Sequence, residues 1–417
     1  MQATTQSGKF SGAVLVARSG QAVHGAGYGL ADREHIVANT PHTKFRVGSI
    51  TKQFTSMAVL ILEEQGKLSV HDPIRAHLPY SPDHWKEITV HHLLNHTAGI
   101  RNLTDIPGCQ ETTARLPISL REIVETFREM PLEFSPGSKH RYSNSGYILL
   151  GDIIERASGV SYEKFLTDHI FEPLGMADSG YDHHKAILTD RATGYCQEEG
   201  EWNRAGYLDM GFPFAAGALY STVEDLYRWD QALLKGCLIG QMSHVRMTTI
   251  TPLLSSYGYG LTMGREHNRR TAGHAGGING FRANFVRYPD EPACVIVLSN
   301  SENSDVFGVS KTLAAILFGE AYETPSVRKT AKAPDDVLDS YAGTYQIVHG
   351  VTLRVERKNG HLIVTSGKAM RRFLPESETV FFHDETGDSI TFHASGAGEP
   401  THLTMRQAAV EVEARKV

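Results

Sequence analysis

Cysteine is scarce in this chain: four residues in 417, Cys109, Cys196, Cys237 and Cys294, widely scattered and without a Cys-x-x-Cys pair. That usage excludes a disulfide scaffold at this length, and the four read as free, mostly buried thiols. An excess of basic charge is missing too. Against 47 Asp and Glu stand 41 Lys and Arg, a formal charge of −6, which argues against a general nucleic-acid or anionic-membrane binder. No apolar run reaches the ~18–20 residues of a spanning helix. The densest patch, Ala58–Leu62, belongs to a core helix. The opening residues, Met1-Gln2-Ala3-Thr4-Thr5-Gln6, have neither a basic start nor an apolar centre, so no secretion signal is visible. Either the protein stays inside the cell or Met1 replaces a removed leader; both readings stand.

Metal-ligand patterns are absent as well. His92 and His96 lie four residues apart beside His91, but without the helical His-Glu-x-x-His pattern. These histidines, and those of Asp182-His183-His184, read as surface or helix-end residues, with His96 near the floor of the main domain. No metal or cofactor is expected. The Arg269-Arg270 pair beside His267 reads as a solvated turn, and no internal repeat or low-complexity tract occurs.

What is present is ordinary globular material, 41% hydrophobic and 21% charged, long enough for a large domain and a small one. Ser11–Ala17 and Val23–Gly29 predict a hairpin. A helix runs from Ser49 to about Gln65 and stops at Gly66. The pattern then stays mainly helical to about residue 240. Leu120, Ile123, Val124 and Phe127 form a core stripe, Ser145–Ala157 ends at Gly159, and Ser161–Ile170 follows. Ser221-Thr222-Val223-Glu224 is a capping-box signature for a helix through Leu234. Strands are predicted at Tyr257–Met263, Arg270–Gly273, Ala283–Tyr288 and Ala293–Asn300, with Ser304 capping a helix to about Phe318.

The expected fold class is therefore α/β in the α+β sense: an antiparallel sheet built from both chain ends, flanked by helices, with a large helical subdomain. Thr324–Asp336, with two prolines and few apolar residues, reads as a linker between domains at 1–323 and 337–417. Tyr341–Gln346, Val351–Arg357, an Asn359-Gly360 turn and His361–Thr365 open a small antiparallel β domain. Short strands around Phe373, Val380–Phe382, Ile390–Phe392 and Leu403–Met405 would complete it as a barrel or sandwich.

Chemistry begins at Ser49-Ile50-Thr51-Lys52, which puts a hydroxyl and an amine one helical turn apart on one face. Serine is a poor nucleophile at neutral pH without a base in hydrogen-bond reach. Ser-x-x-Lys also occurs at Ser161–Lys164, where Ser161 reads as an N-cap, and at Ser326–Lys329 in the linker. Only Ser49 has a strand-like segment before it (Phe45-Arg46-Val47-Gly48) and a long apolar helix after it. Two further elements follow in order. Tyr142-Ser143-Asn144 lies between a Pro136-Gly137 turn and a helix, and His274-Ala275-Gly276 lies in a glycine-dense stretch between predicted strands. Together they supply the parts of one acyl-transfer site.

These three elements resemble the motifs of the serine β-lactamase-like superfamily, which includes class C β-lactamases, DD-carboxypeptidases, D-aminopeptidases and β-lactamase-like esterases. The resemblance extends to Leu93-Leu94-Asn95-His96-Thr97-Ala98-Gly99, Pro173-Leu174-Gly175-Met176 and Ala216-Gly217-Ala218-Leu219-Tyr220-Ser221-Thr222, and covers roughly residues 10–320. Where a related set reads Ser-Asp-Asn and Lys-Thr-Gly, this sequence has Tyr-Ser-Asn and His-Ala-Gly. Tyrosine points to the class C and DD-peptidase branch. Histidine resembles certain DD-peptidases and D-aminopeptidases more than a dedicated β-lactamase. The C-terminal region resembles lipocalin-like domains of some D-aminopeptidases.

The resemblance implies an acyl-enzyme on Ser49, with Lys52 and Tyr142 as candidate bases. Bringing a lysine (~10.4) or tyrosine (~10) to pH 7 takes about three units, roughly 4 kcal/mol. A Lys52 ammonium would lower Tyr142 and burial would lower Lys52, and the two can titrate as one unit. Which of them takes the proton stays open, with Tyr142 placed nearest the leaving atom. Asn144 would hold Lys52 and meet a substrate amide, while the Ser49 and Gly277 backbone N–H groups would form the oxyanion hole. His274 would orient the substrate or bind its carboxylate when protonated. The expected reaction is amide hydrolysis in a small, D-residue-containing peptide. The alternatives are a carboxylesterase with weak β-lactamase activity and a penicillin-binding sensor or scaffold without turnover. Expected partners are a small-molecule or short-peptide substrate, with no nucleic acid and no membrane span; homo-oligomerisation stays open.

Overall fold

The computed structural model describes residues 1, 10–198, 201–250, 256–322, 330–348, 351–366, 369–383, 388–394, 400–407 and 410–417. Residues 2–6 of the opening segment, Ser326–Lys329 and the first part of the linker, 324–329, lie outside the described residues. The chain divides into two units, Met1–Glu323 and Thr324–Val417.

In the first unit six antiparallel strands form one sheet: β1 (Gly12–Arg18), β2 (Gln21–Tyr28), β3 (Thr262–Glu266), β4 (Arg269–Ile278), β5 (Phe281–Tyr288) and β6 (Ala293–Ser299). Their order is β3-β4-β5-β6-β1-β2, so the two chain ends meet at the centre, Gly12 opposite Ser299 and Arg18 opposite Ala293. β1 and β6 are apolar on both faces because both faces are covered. Alternation sorts their side chains. Ala13, Leu15, Ala17, Cys294, Ile296 and Leu298 join the main core, while Val14, Val16, Val295 and Val297 join a second one with Phe10 and Tyr288. Helices α1 (Thr51–Glu64), α2 (Asn144–Ser158) and α3 (Val223–Lys235) contribute to the main core, and α4 (Val306–Phe318) covers the second. Every residue of α1 from Thr51 to Leu62 is buried. It is the central helix, and α2 packs against it.

Several local expectations are corrected. Thr222, not Ser221, caps α3, accepting from the Asp225 N–H at 3.1 Å; Asp305, not Ser304, caps α4, accepting from the Gly308 N–H at 2.8 Å. The neighbouring serines are engaged inward: Ser221 Oγ bonds Ser179 Oγ, and Ser304 Oγ accepts from Ser299 Oγ. Tyr257–Met263 is strand only from Thr262, because Gly260 turns the chain at φ +69°. The glycine-dense segment is not a connection between strands but the end of β4 itself. All four cysteines are free, yet Cys237 is exposed and Cys196 half-buried; only Cys109 and Cys294 are buried. No helix among the described residues is long and apolar enough to cross a membrane.

The second unit is a closed barrel, not a sandwich, of β7 (Gly343–Val348), β8 (Val351–Lys358), β9 (His361–Ser366), β10 (Ala369–Pro375), β11 (Val380–His383), β12 (Ser389–Ala394), β13 (Pro400–Gln407) and β14 (Val410–Lys416). β14 closes onto β7 through Tyr345–Lys416 and Gln346–Arg415. Asn359 and Gly360, both at positive φ, make the tight turn between β8 and β9. Alternate side chains, including Tyr345, Leu353, Leu362, Phe373 and Phe392, fill the interior. A helix at Asp335–Tyr341, within and just after the segment read as linker, packs Leu338 and Tyr341 onto this core; Tyr341 stacks on Phe392 at 3.9 Å. Tyr341 therefore ends a helix and does not start a strand. Its apolar stripe is one turn long, too short to register as periodic.

Candidate active site

The chain enters the site through Phe45–Arg46, paired with Leu219–Ser221, and turns at Gly48–Ile50 into α1. Gly48 has φ +51°, a conformation that costs glycine nothing. A Cβ there would lie 2.9 Å from Gly277 N, and a Cβ on Gly276 would lie 2.0 Å from the Val47 carbonyl oxygen. Two glycines thus let the backbone of β4 lie directly against the turn that carries Ser49.

Ser49 Oγ accepts a hydrogen bond from Tyr142 OH at 2.8 Å and lies 3.0 Å from Lys52 Nζ. Lys52 Nζ also donates to Asn144 Oδ1 at 2.8 Å and to the Ala216 carbonyl at 2.7 Å. The lysine side chain is fully buried, and desolvation pushes its pKa well below the ordinary lysine value. Burial acts oppositely on Tyr142, raising the phenol's pKa, with the Ser49 bond offsetting part of the rise. Lys52 Nζ also sits 4.8 Å from the Tyr142 ring centre.

Supporting groups fix these positions. Asn144 opens α2, and its N–H donates to Asn102 Oδ1 at 2.9 Å. The Ser143 N–H donates to His96 Nδ1 at 3.2 Å, and the His96 ring lies 4.4 Å from that of Tyr142. Burial pushes His96 well below the ordinary histidine range, so the ring is neutral.

His274 differs from expectation. Its Nδ1 lies 2.6 Å from the Ala275 carbonyl, which can only accept, and its Nε2 lies 2.8 Å from Tyr257 OH. Both ring nitrogens are occupied by a neutral tautomer. Burial first, and the Lys52 charge second, push its pKa down to about 3. This burial and these two contacts disfavour the protonated ring that binding a substrate carboxylate would need.

A cleft of about 330 Å³ opens at this point, lined by Ser49, Asn144, Gly277, Leu103, Phe212 and Arg115 among others. The family model described as Beta-lactamase matches residues 1–320. The chain belongs to the beta-lactamase family. A second model, Domain of unknown function (DUF3471), matches residues 327–416. Penicillin-binding protein 4* of Bacillus subtilis (strain 168) is 30% identical over 404 residues, spanning 90% of this chain and 88% of that protein. Similar solved structures include the octameric penicillin-binding protein homologue from Pyrococcus abyssi (TM-score 0.70, 25% identity, 99% of this chain and 97% of that one). The D-amino acid amidase from Ochrobactrum anthropi SV3 is another (TM-score 0.64, 25% identity, 74% and 93%). These relatives support a serine hydrolase of the beta-lactamase fold.

His91 and His92 of this beta-lactamase-family chain have structural partners. His91 bonds Tyr259 OH at 2.5 Å and is pushed down to about 4 by burial; His92 takes part in the cap of a short helix. Among the described residues no group of three His, Cys, Asp or Glu could hold a metal ion. Asp182 is taken by Arg46 and Arg191, and Arg269 and Arg270 pair with Glu291, Glu320 and Asp290. Sequence reasoning missed Asn102, Tyr257 and the buried role of His96. His96 and Ala216 lay inside motifs already recognised, whereas Asn102 and Tyr257 carry no spacing signal at all.

Proposed function

We propose that this chain hydrolyses amide bonds in small peptides containing a D-residue, through an acyl-enzyme on Ser49. The observation that carries the reading is the simultaneous contact of Ser49 Oγ with Lys52 Nζ and Tyr142 OH. Similarity to a D-amino acid amidase supports the amide and the stereochemistry.

The opposed pKa directions support one division of the roles. As a neutral amine, Lys52 keeps two N–H groups for Asn144 Oδ1 and the Ala216 carbonyl, and its lone pair faces the Ser49 hydroxyl. Lys52 then takes the Ser49 proton as Oγ attacks the carbonyl carbon. The Ser49 N–H, at the start of the turn into α1, and the Gly277 N–H stabilise the negative oxygen. Tyr142, held as a phenol, gives its proton to the departing nitrogen and is reprotonated from Lys52. Water then attacks the ester, and Oγ leaves with a proton restored.

The test compares a D-alanyl amide, its L-enantiomer, a p-nitrophenyl ester and a cephalosporin. Turnover of the D-amide is expected to exceed that of the L-amide by at least about tenfold. Tyr142→Phe should lower amide hydrolysis by about 10²–10⁴-fold and spare the p-nitrophenyl ester more, because that leaving group needs no proton. Ester turnover without D-amide hydrolysis would sink the amidase reading, as would stoichiometric labelling of Ser49 with no turnover.

A further inference from the structure

Tyr142 belongs to a stretch, 139–143, with neither helix nor strand, so no ladder of its own holds the phenol against Ser49. Its two chain neighbours are instead tied to one residue. The Arg141 N–H donates to the His96 carbonyl at 3.0 Å, and the Ser143 N–H donates to His96 Nδ1 at 3.2 Å. The His96 ring also lies against the Tyr142 ring, centres 4.4 Å apart. The Arg141 side chain adds pairs with Asp105 and Glu133, but it is half exposed, where such pairs hold little.

His96 stands here against two local penalties. It follows the short helix Val90–Leu94 and its C-cap Asn95, and its φ is +59°. A left-handed residue at that point of a helix end is usually glycine. The ring can accept from Ser143 only with its hydrogen on Nε2, and Nε2 is buried without a hydrogen-bond partner among the described residues. Glycine would close the helix with neither the strained backbone nor the unpaired N–H. What the histidine adds is the hold on Tyr142, and strain kept in this way clusters at active sites. The ring is 2% exposed and also packs against Tyr257 and Tyr147, at 4.5 and 5.1 Å between centres. It therefore works from behind the phenol.

The geometry points to His96 as the positioning residue of Tyr142: it fixes where the phenol stands against Ser49 Oγ without touching substrate. This rests on the reading above, in which Tyr142 protonates the departing nitrogen. The experiment measures kcat and KM for the D-alanyl amide and the p-nitrophenyl ester. It compares wild type, His96→Gly, His96→Asn, Tyr142→Phe and the double variant of His96→Gly with Tyr142→Phe. Glycine suits the backbone and removes ring and Nδ1 together; asparagine also adopts that conformation and offers Oδ1 as an acceptor. His96→Gly is expected to lower kcat for the amide by about 10²-fold, the scale of a 1 Å misplacement, with KM and ester turnover much less changed. His96→Asn should restore most of that loss. In the Tyr142→Phe background His96→Gly should lower amide turnover by no more than about twofold, because the group it positions is gone. Equal losses for amide and ester, or losses that multiply in the double variant, mark a merely structural residue and overturn the inference. Unchanged amide turnover in His96→Gly overturns it too, as does an asparagine variant no better than the glycine one. If Tyr142→Phe itself leaves the amide-to-ester ratio unchanged, the division of roles fails and this inference falls with it.

Discussion

Lys52→Met is expected to slow acylation of Ser49 by about 10⁴-fold at neutral pH, the scale seen when one member of a nucleophile–base unit is removed. Methionine is unbranched and apolar and fills a buried lysine's path without a charge. It leaves Asn144 Oδ1 and the Ala216 carbonyl without their donor, a cost of order 1–3 kcal/mol per unsatisfied group. Thermal unfolding of the variant shows whether the fold survives that cost. The pH dependence carries the sharper information. A base must be unprotonated to accept the Ser49 proton, so acylation is lost as pH falls through the Lys52 pKa. Desolvation holds that pKa well below the ordinary lysine value, and the raised Tyr142 pKa keeps the phenol protonated across the same range. Wild type should therefore show an acid limb that the methionine variant lacks. Wild-type rates in Lys52→Met, or the same limb in both proteins, would remove Lys52 from the proton transfer.

Gly276→Ala is expected to be the most damaging single-methyl change near the site. The new carbon would meet the Val47 carbonyl oxygen at 2.0 Å and its carbon at 2.9 Å, both backbone atoms. Neither can rotate away, so β4 or the Val47–Ser49 turn must move. Overpacking of this kind costs about 1–3 kcal/mol, and a displacement near 1 Å at a reacting group costs about 10²-fold in rate. Denaturant unfolding and ester turnover measure the two effects separately. Gly25→Ala in β2, where nothing lies within 4 Å of the added carbon, serves as the control and should change stability by less than about 0.5 kcal/mol. Equal behaviour of the two variants would contradict the close approach of β4 to the Ser49 turn.

How much of this was legible in the sequence depends on how far each signal reaches. The N-terminal hairpin, α1, α2 and the strands β5 and β6 follow from local apolar periodicity, which a one-dimensional pattern preserves. β4 did so only over its first part, Arg270–Gly273, because the glycines beyond mimic a loop until the neighbouring backbone that requires them is in view. The caps of α3 and α4 slipped by one residue since Ser-Thr and Ser-Asp pairs offer two acceptable caps, and only the inward bonds of Ser221 and Ser304 choose between them. In the site, Ser49, Lys52, Tyr142 and Asn144 were nameable from motif chemistry. The charge state of His274 was not, because it depends on burial and on the charge of Lys52, distant along the chain.

The most direct test of the account is mass spectrometry of the protein after brief exposure to a β-lactam or fluorophosphonate probe, read peptide by peptide. One adduct on Ser49 is predicted, absent in Ser49→Ala and formed faster as pH rises from acid to neutral. An adduct on another serine, with Ser49 unmodified, would contradict it.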